Sequence, residues 1–283
     1  MRMTTKWTVI MMALLAAACA SPVRAQRNVS GAGNLASNER SFNRTLNVSG
    51  PVDLDVSTGS GTIDIQQHSG NNVEIHGRIR AGSDWFRSDR NIEDVVREIE
   101  SNPPIEQNGN RIQIGPLPNR IQNISISYSI VVPAQTSVRA HSGSGGETIS
   151  GLYGRVDATT GSGGITLTDL RGDITSSTGS GHIHAKVYGS LHAHTGSGTI
   201  TAEGEQEGVW DLETGSGEIE VCLPQNAGFQ VNAHTGSGGV VVDRPMTLQG
   251  RLDNRQRRDD SGKVGDGSYA LDLRTGSGQI RIE

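Results

Sequence analysis

Apolar and polar residues alternate along much of this chain, and one four-residue mark, Thr-Gly-Ser-Gly, punctuates the alternation. It stands at Thr58–Gly61, Thr160–Gly163, Thr178–Gly181, Thr195–Gly198, Thr214–Gly217, Thr235–Gly238 and Thr275–Gly278. Ser142–Gly145 is an eighth copy that differs only in its first residue. Four residues before each mark stand Leu54, Val138, Val156, Ile174, Leu191, Trp210, Val231 and Leu271. Five after it come Ile63, Glu147, Ile165, Ile183, Ile200, Ile219, Val240 and Ile280, and seven after it a further apolar column from Ile65 to Ile282. The positions between these columns are mostly polar. A period of two marks a half-buried strand, so each repeat reads as strand, corner, strand.

The copies from Ser142 to Thr235 fall 18, 18, 17, 19 and 21 residues apart. That leaves no room for a crossover helix, so successive strands have to stack in parallel register. The expected fold is all-β, a single-stranded parallel β-solenoid (a β-helix) with coils of about 18–20 residues, stacked ~4.8 Å apart. The corner glycines are Gly59 and Gly61, Gly143 and Gly145, Gly161 and Gly163, Gly179 and Gly181, Gly196 and Gly198, Gly215 and Gly217, Gly236 and Gly238, and Gly276 and Gly278. Gly154, Gly172, Gly189 and Gly208 mark a second corner. Glycine suits both through positive φ and close backbone approach. A hydroxyl ladder satisfying corner backbone groups accounts for the threonines. Glu147, in an aliphatic column, predicts a bulge or an end effect in its coil.

Two stretches break the pattern. Residues 81–118 read as an insertion: Ile92, Val95, Val96 and Ile99 have helical spacing, Pro103 stops the helix, and Asn108-Gly109 is a hairpin turn. Residues 244–268 read as a charged, solvated loop, and the gap of 40 between the last two marks as two periods with one copy overwritten. The closing coil then ends the stack at Gln279–Ile282. Its exposed edge calls for protection by the charged loop as a lid, or for self-association through that C-terminal edge.

Arg2 and Lys6 precede an apolar run and a small-x-small site before Gln26, so residues 1–25 read as a signal peptide and 26–40 as a flexible leader before a solenoid over 41–283. Cys19, after Ala16-Ala17-Ala18, offers lipidation as the alternative, and either route exports the protein to the periplasm, envelope or surface. Cys222 is the one cysteine downstream, so no intramolecular disulfide holds the fold. Removing Arg2, Lys6 and Arg24, and no acid, takes the formal charge from −5 to −8. An acidic chain does not neutralise phosphates, which excludes nucleic acid. The only membrane contact expected is a lipid anchor. Aromatics at 4% argue for a thin, ladder-packed core.

Candidate chemistry is sparse. His182 and His184, and His192 and His194, form two H-x-H pairs able to ligate a transition metal, but they lie on different strands and read first as surface positions. Arg171-Gly172-Asp173 spells an attachment tripeptide in which Gly172 is simply the second-corner glycine. No catalytic constellation and no cofactor motif stands out.

Tyr128-Ser129-Ile130-Val131-Val132-Pro133 leading to His141-Ser142-Gly143-Ser144-Gly145, with the Thr-Gly-Ser-Gly series and the closing Thr275 to Ile280, resembles a bacterial β-strand-repeat family of unknown function whose members are called adhesins. The resemblance covers 41–283. It implies a non-enzymatic envelope protein that binds, adheres or supports structure, with a protein or glycan partner. A carbohydrate-active enzyme on a β-helix scaffold and an envelope-stress sensing component are the alternative readings.

Overall fold

The computed structural model describes residues 39–82, 90–117, 124–248 and 259–283. The signal peptide, Cys19, nearly all of the leader and the charged stretch 249–258 lie outside them. In chain order the elements are β1 (Glu39–Asn47), β2 (Val52–Thr58), β3 (Ile63–His68), β4 (Asn72–Ala81), α1 (Arg90–Ser101), β5 (Ile105–Asn108) and β6 (Arg111–Ile114). There follow β7 (Ile124–Pro133), β8 (Thr136–Ser142), β9 (Glu147–Ser150), β10 (Val156–Thr160), β11 (Ile165–Thr178), β12 (Ile183–Ser197), β13 (Ile200–Ser216) and β14 (Ile219–Cys222). Last come β15 (Phe229–Ser237), β16 (Val240–Val242), β17 (Thr247–Leu248), β18 (Asp259–Val264), β19 (Tyr269–Ser277) and β20 (Ile280–Ile282). The fold is mostly β, and the twenty strands form one large mixed sheet.

Each repeat gives one strand to each of two parallel ladders. Before the corner the order is β6, β2, β8, β10, then the second halves of β11, β12 and β13, then β19 and β15. After the corner it is β7, β3, β9, the first parts of β11, β12 and β13, then β14, β20 and β16. Leu54, Val156, Ile174, Leu191, Trp210 and Leu271 are wholly buried in one column, and Ile165, Ile200, Ile219 and Ile280 in the facing one. Each such side chain contributes roughly 1.5–3 kcal/mol on burial, but only against its neighbours in adjacent repeats. Trp210 fits because its Nε1–H donates to Gly189 O at 2.8 Å.

The corner explains why Thr-Gly-Ser-Gly recurs. The hydroxyls of Thr58, Ser142, Thr160, Thr178, Thr195 and Thr214 donate across the stack to Ile126 O, Gly61 O, Gly145 O, Gly163 O, Gly181 O and Gly198 O, at 2.8–3.0 Å. Ser142, Thr160 and Thr178 also accept from the amides of Gly145, Gly163 and Gly181. The expected hydroxyl ladder is therefore present, worth about 1 kcal/mol per bond. Close approach, more than backbone conformation, excludes side chains at the corner. A Cβ on Gly143 would lie 2.2 Å from Gly59 O, and one on Gly145 1.7 Å from Gly61 O.

Four expectations need correction. First, the stack is not parallel throughout. Beyond β7, which ends the parallel second ladder, β4 pairs antiparallel with β7 and β1 antiparallel with β4, and the β5–β6 hairpin, turning at Gly109 (φ 61°), docks on β2. The 81–118 insertion thus supplies an edge strand, while Val96 and Ile99 of α1 bury against the core.

Second, the segment 244–268 is no mere loop. β18 pairs antiparallel with β15, and β17 with β18, covering the far edge of the first ladder. Third, the closing unit does not end the stack. β19 lies between β13 and β15, and β20 between β14 and β16. Thr275 donates to Gly217 O and Thr235 to Gly278 O, both at 3.0 Å, so the corner follows the same order. The edge expected at the C-terminal strand is filled, and the last strand of that ladder among the described residues is β16. Fourth, Glu147 makes no bulge; it holds register between Ile63 and Ile165.

Candidate functional site

The second corner projects the most distinctive surface side chains. A Cβ on Gly172 would lie 2.7 Å from Gly154 O, and one on Gly189 2.3 Å from Gly172 O. With the backbones packed that closely, the residue preceding each glycine is presented outward. These residues are Tyr153, Arg171 and Tyr188, register neighbours in consecutive repeats. Tyr153 is 53% exposed, more than any other large apolar side chain among the described residues. Arg171 lays its guanidinium 4.4 Å from the centroid of the Tyr188 ring, a contact worth about 0.5–1 kcal/mol at an exposed site.

Beside this row the register shifts between Thr168 and Leu170. Asp169 there takes φ 53°, a conformation aspartate tolerates better than most residues. Its carboxylate lies 3.6 Å from Lys186 Nζ. The row therefore combines an open aromatic face, a fixed guanidinium and an acid–base pair on a rigid ladder. It can hold a ligand by stacking and hydrogen bonding. The sequence carries the signal, since Tyr153, Arg171 and Tyr188 each precede a second-corner glycine, whereas Gly208, preceded by Glu207, lies out of register with them. Arg171 of the attachment tripeptide is a member of this row and is held on a strand.

The histidine pairs do not converge. His182 and His184 stand at the second-ladder strand of their repeat, and His192 and His194 on the first ladder, where His194 Nδ1 lies 3.8 Å from Glu213. The cluster of metal-ligating type among the described residues is instead Glu220, Cys222 and Glu283, with ligand atoms within 4.8 Å of one another. Two cations occupy its surroundings. Arg281 Nε lies 2.9 Å from Glu283. Arg244 donates to the carbonyls of Leu223, Pro224 and Glu283, with burial lowering its pKa. Hydrogen bonds of Arg244, and those between Glu283 and the backbone of Val221 and Leu223, tie the end of the closing unit to β14 and the residues after it.

Glu147 is buried with neither carboxyl oxygen hydrogen-bonded. Burial pushes its pKa up to about 8; the nearby backbone amides of Ser142 and Thr159 oppose this, and Asp157 adds to it. A carboxyl sealed between aliphatic columns has no route to a ligand, so it is a cost to the core and not part of a site.

A family model described as Toastrack DUF4097 matches residues 34–283. No curated protein matches the chain. Among solved structures, a candidate cell adhesion protein from Clostridium sporogenes is 14% identical, with 87% of this chain and 99% of that one covered and a TM-score of 0.41. A candidate adhesin from Bacteroides fragilis is 12% identical, covering 86% and 97%, with a TM-score of 0.37. A candidate lipid binding protein from Parabacteroides distasonis is 14% identical, covering 87% and 98%, with a TM-score of 0.40.

Proposed function

The chain belongs to the Toastrack DUF4097 family, and from that premise we propose that it is an exported β-solenoid of the cell envelope, a non-enzymatic binding or adhesion protein. Its two ladders are the faces of successive coils, and the coils hold surface side chains at fixed spacing. The row Tyr153–Arg171–Tyr188 carries this reading. An exposed tyrosine beside closely packed glycine backbones is arranged for contact, and its partner is a glycan or a protein of the envelope. Neighbouring rows ~4.8 Å apart let an extended partner engage several coils at once, so that weak contacts add.

The test is cosedimentation of the purified protein with cell-wall polymer and with outer-envelope vesicles, comparing the parent with Tyr153→Ala and Arg171→Ala. Binding that falls at least tenfold in both variants, with unchanged melting, supports the reading. Undiminished binding removes the row from the account, and no binding to either envelope fraction contradicts the function. Intact mass of the protein from its native envelope tests export: a chain starting at Gln26, or one acylated at Cys19, is expected, and an unprocessed chain contradicts it.

A further inference from the structure

The closing unit fills a slot that its own chain leaves open. The chain lays down β13 and β14, and later β15 and β16, with the width of one strand between them. β19 and β20 then enter and pair on both sides. Leu271, Leu273, Ile280 and Ile282 are fully buried there. Gln206 donates to Ala270 O at 2.5 Å, and Leu223 N donates to Glu283 O at 3.1 Å.

The route into the slot is tight. β18 lies on one edge of β15 and β19 on the other, and Phe229 is the register partner of both Val264 and Tyr269. Gly265 to Ser268 must therefore carry the chain across the end of β15. At this crossing a Cβ on Gly228 would lie 1.7 Å from Asp266 Oδ1, and Gly265 and Gly267 adopt φ of 59° and 65°. Repeats from Val138 to Val221 join their spatial neighbours directly in sequence. The closing unit instead reaches its place over another strand.

We propose that the slot is a strand-accepting site whose alternative occupant is the closing segment Tyr269–Ile282 of a second copy, so that copies join by reciprocal exchange of this unit. Exchange reproduces every ladder pair, corner bond and apolar contact in trans, because the segment is chemically the same in each copy. It also releases the crossing over Gly228, and a short, constrained hinge favours exchange. The occupant is specified by pattern: apolar side chains at 271, 273, 280 and 282 around a Thr-Gly-Ser-Gly corner. The proposal is independent of the ligand row at Tyr153.

Ser216 and Ser277 are exposed register partners on either side of the slot boundary. In a Cys222→Ser background, one full-length sample carries Ser216→Cys and another Ser277→Cys. They are mixed, incubated at high concentration in mild denaturant, returned to native buffer and oxidised. A second mixture of Ser60→Cys with Ser277→Cys measures random collision, since Ser60 lies at a distant corner. Exchange predicts a cross-chain 216–277 disulfide, located by peptide mass in a species of twice the monomer mass, at least tenfold above the 60–277 product. It should fall when a few Gly/Ser residues lengthen the 265–268 crossing. Equal yields from the two mixtures, or a yield indifferent to the crossing length, overturn the proposal.

Discussion

The repeats from Val138 to Val221 and those from Phe229 to Ile282 use the same corner and columns, yet they assemble by different rules. In the first region, order in the sequence is order in the stack, and each strand pairs with the one a period away. In the second, the later unit sits inside and the earlier one outside. The hydrogen bonds at the corner are the same in both, Thr214 to Gly198 O and Thr275 to Gly217 O. The corner therefore makes units stack without choosing which unit lies on which. Connections make that choice: short ones enforce sequence order, and the 243–268 connection, with its own hairpin on β15, permits inversion.

The largest effect that sharpens this contrast comes from charging an interior column. Leu271→Asp should cost on the order of 5 kcal/mol, as much as Ile183→Asp in the sequential region, because both bury a carboxylate between two neighbours. A terminal unit would let the charge reach water. Urea denaturation with a clearly smaller loss for Leu271→Asp would return the closing unit to the end of the stack.

Next comes a buried, unpaired acid of the sequential region, Glu147. Its carboxyl ionises near 4.5 when unfolded and at about 8 when folded, so the folded state holds the extra proton between those values. Stability is therefore full below pH 4.5 and falls as pH rises towards 8, by about 1.4 kcal/mol per unit. Glu147→Leu should abolish that decline and stabilise the protein at pH 8 by several kcal/mol. Parallel pH profiles for the two proteins would show that the carboxyl is not sealed in.

Corner glycines give a smaller and more local contrast. A Cβ on Gly276 would lie 2.5 Å from Gly215 O, whereas one on Gly59 meets nothing within 4 Å. Gly276→Ala should cost about 2 kcal/mol or more and Gly59→Ala less than about 1. Equal losses would mean that Gly276 has no tight neighbour. The smallest effect is expected at the second corner, where Tyr153→Ala should change stability by less than about 1 kcal/mol, as surface substitutions do. A large drop in melting temperature would make Tyr153 a structural residue.

Much of the stack was legible because its determinants are local and repeated. Alternation placed Leu54, Ile165 and Ile280 inside, and the corner threonines announced their ladder. What escaped the sequence depends on pairings between distant segments. Nothing in Tyr269–Ile282 says that it pairs with Trp210 and Val231 at once, since its columns match those of any repeat. The strands of the hairpin caps, such as β4 against β7, alternate like the repeats and differ only in direction. Glu147 was visible as an exception, but local pattern suggested a bulge where the ladder instead tolerates a buried acid. The Tyr153–Arg171–Tyr188 row was hidden because it emerges only when the second-corner glycines are stacked.

The inverted order is tested most directly by disulfide trapping within one chain, in a Cys222→Ser background. Ser216 and Ser277 are adjacent in register, and so are Ser237 and Ser277, whereas Ser216 and Ser237 stand two strands apart, ~9.6 Å, beyond the span of a disulfide. Dilute protein carrying Ser216→Cys with Ser277→Cys should form the intramolecular bond and melt at a higher temperature. The pair Ser216→Cys with Ser237→Cys should stay reduced under the same oxidation. A 216–237 bond in folded protein, with no 216–277 bond, would put the closing unit back at the end of the stack and contradict the account.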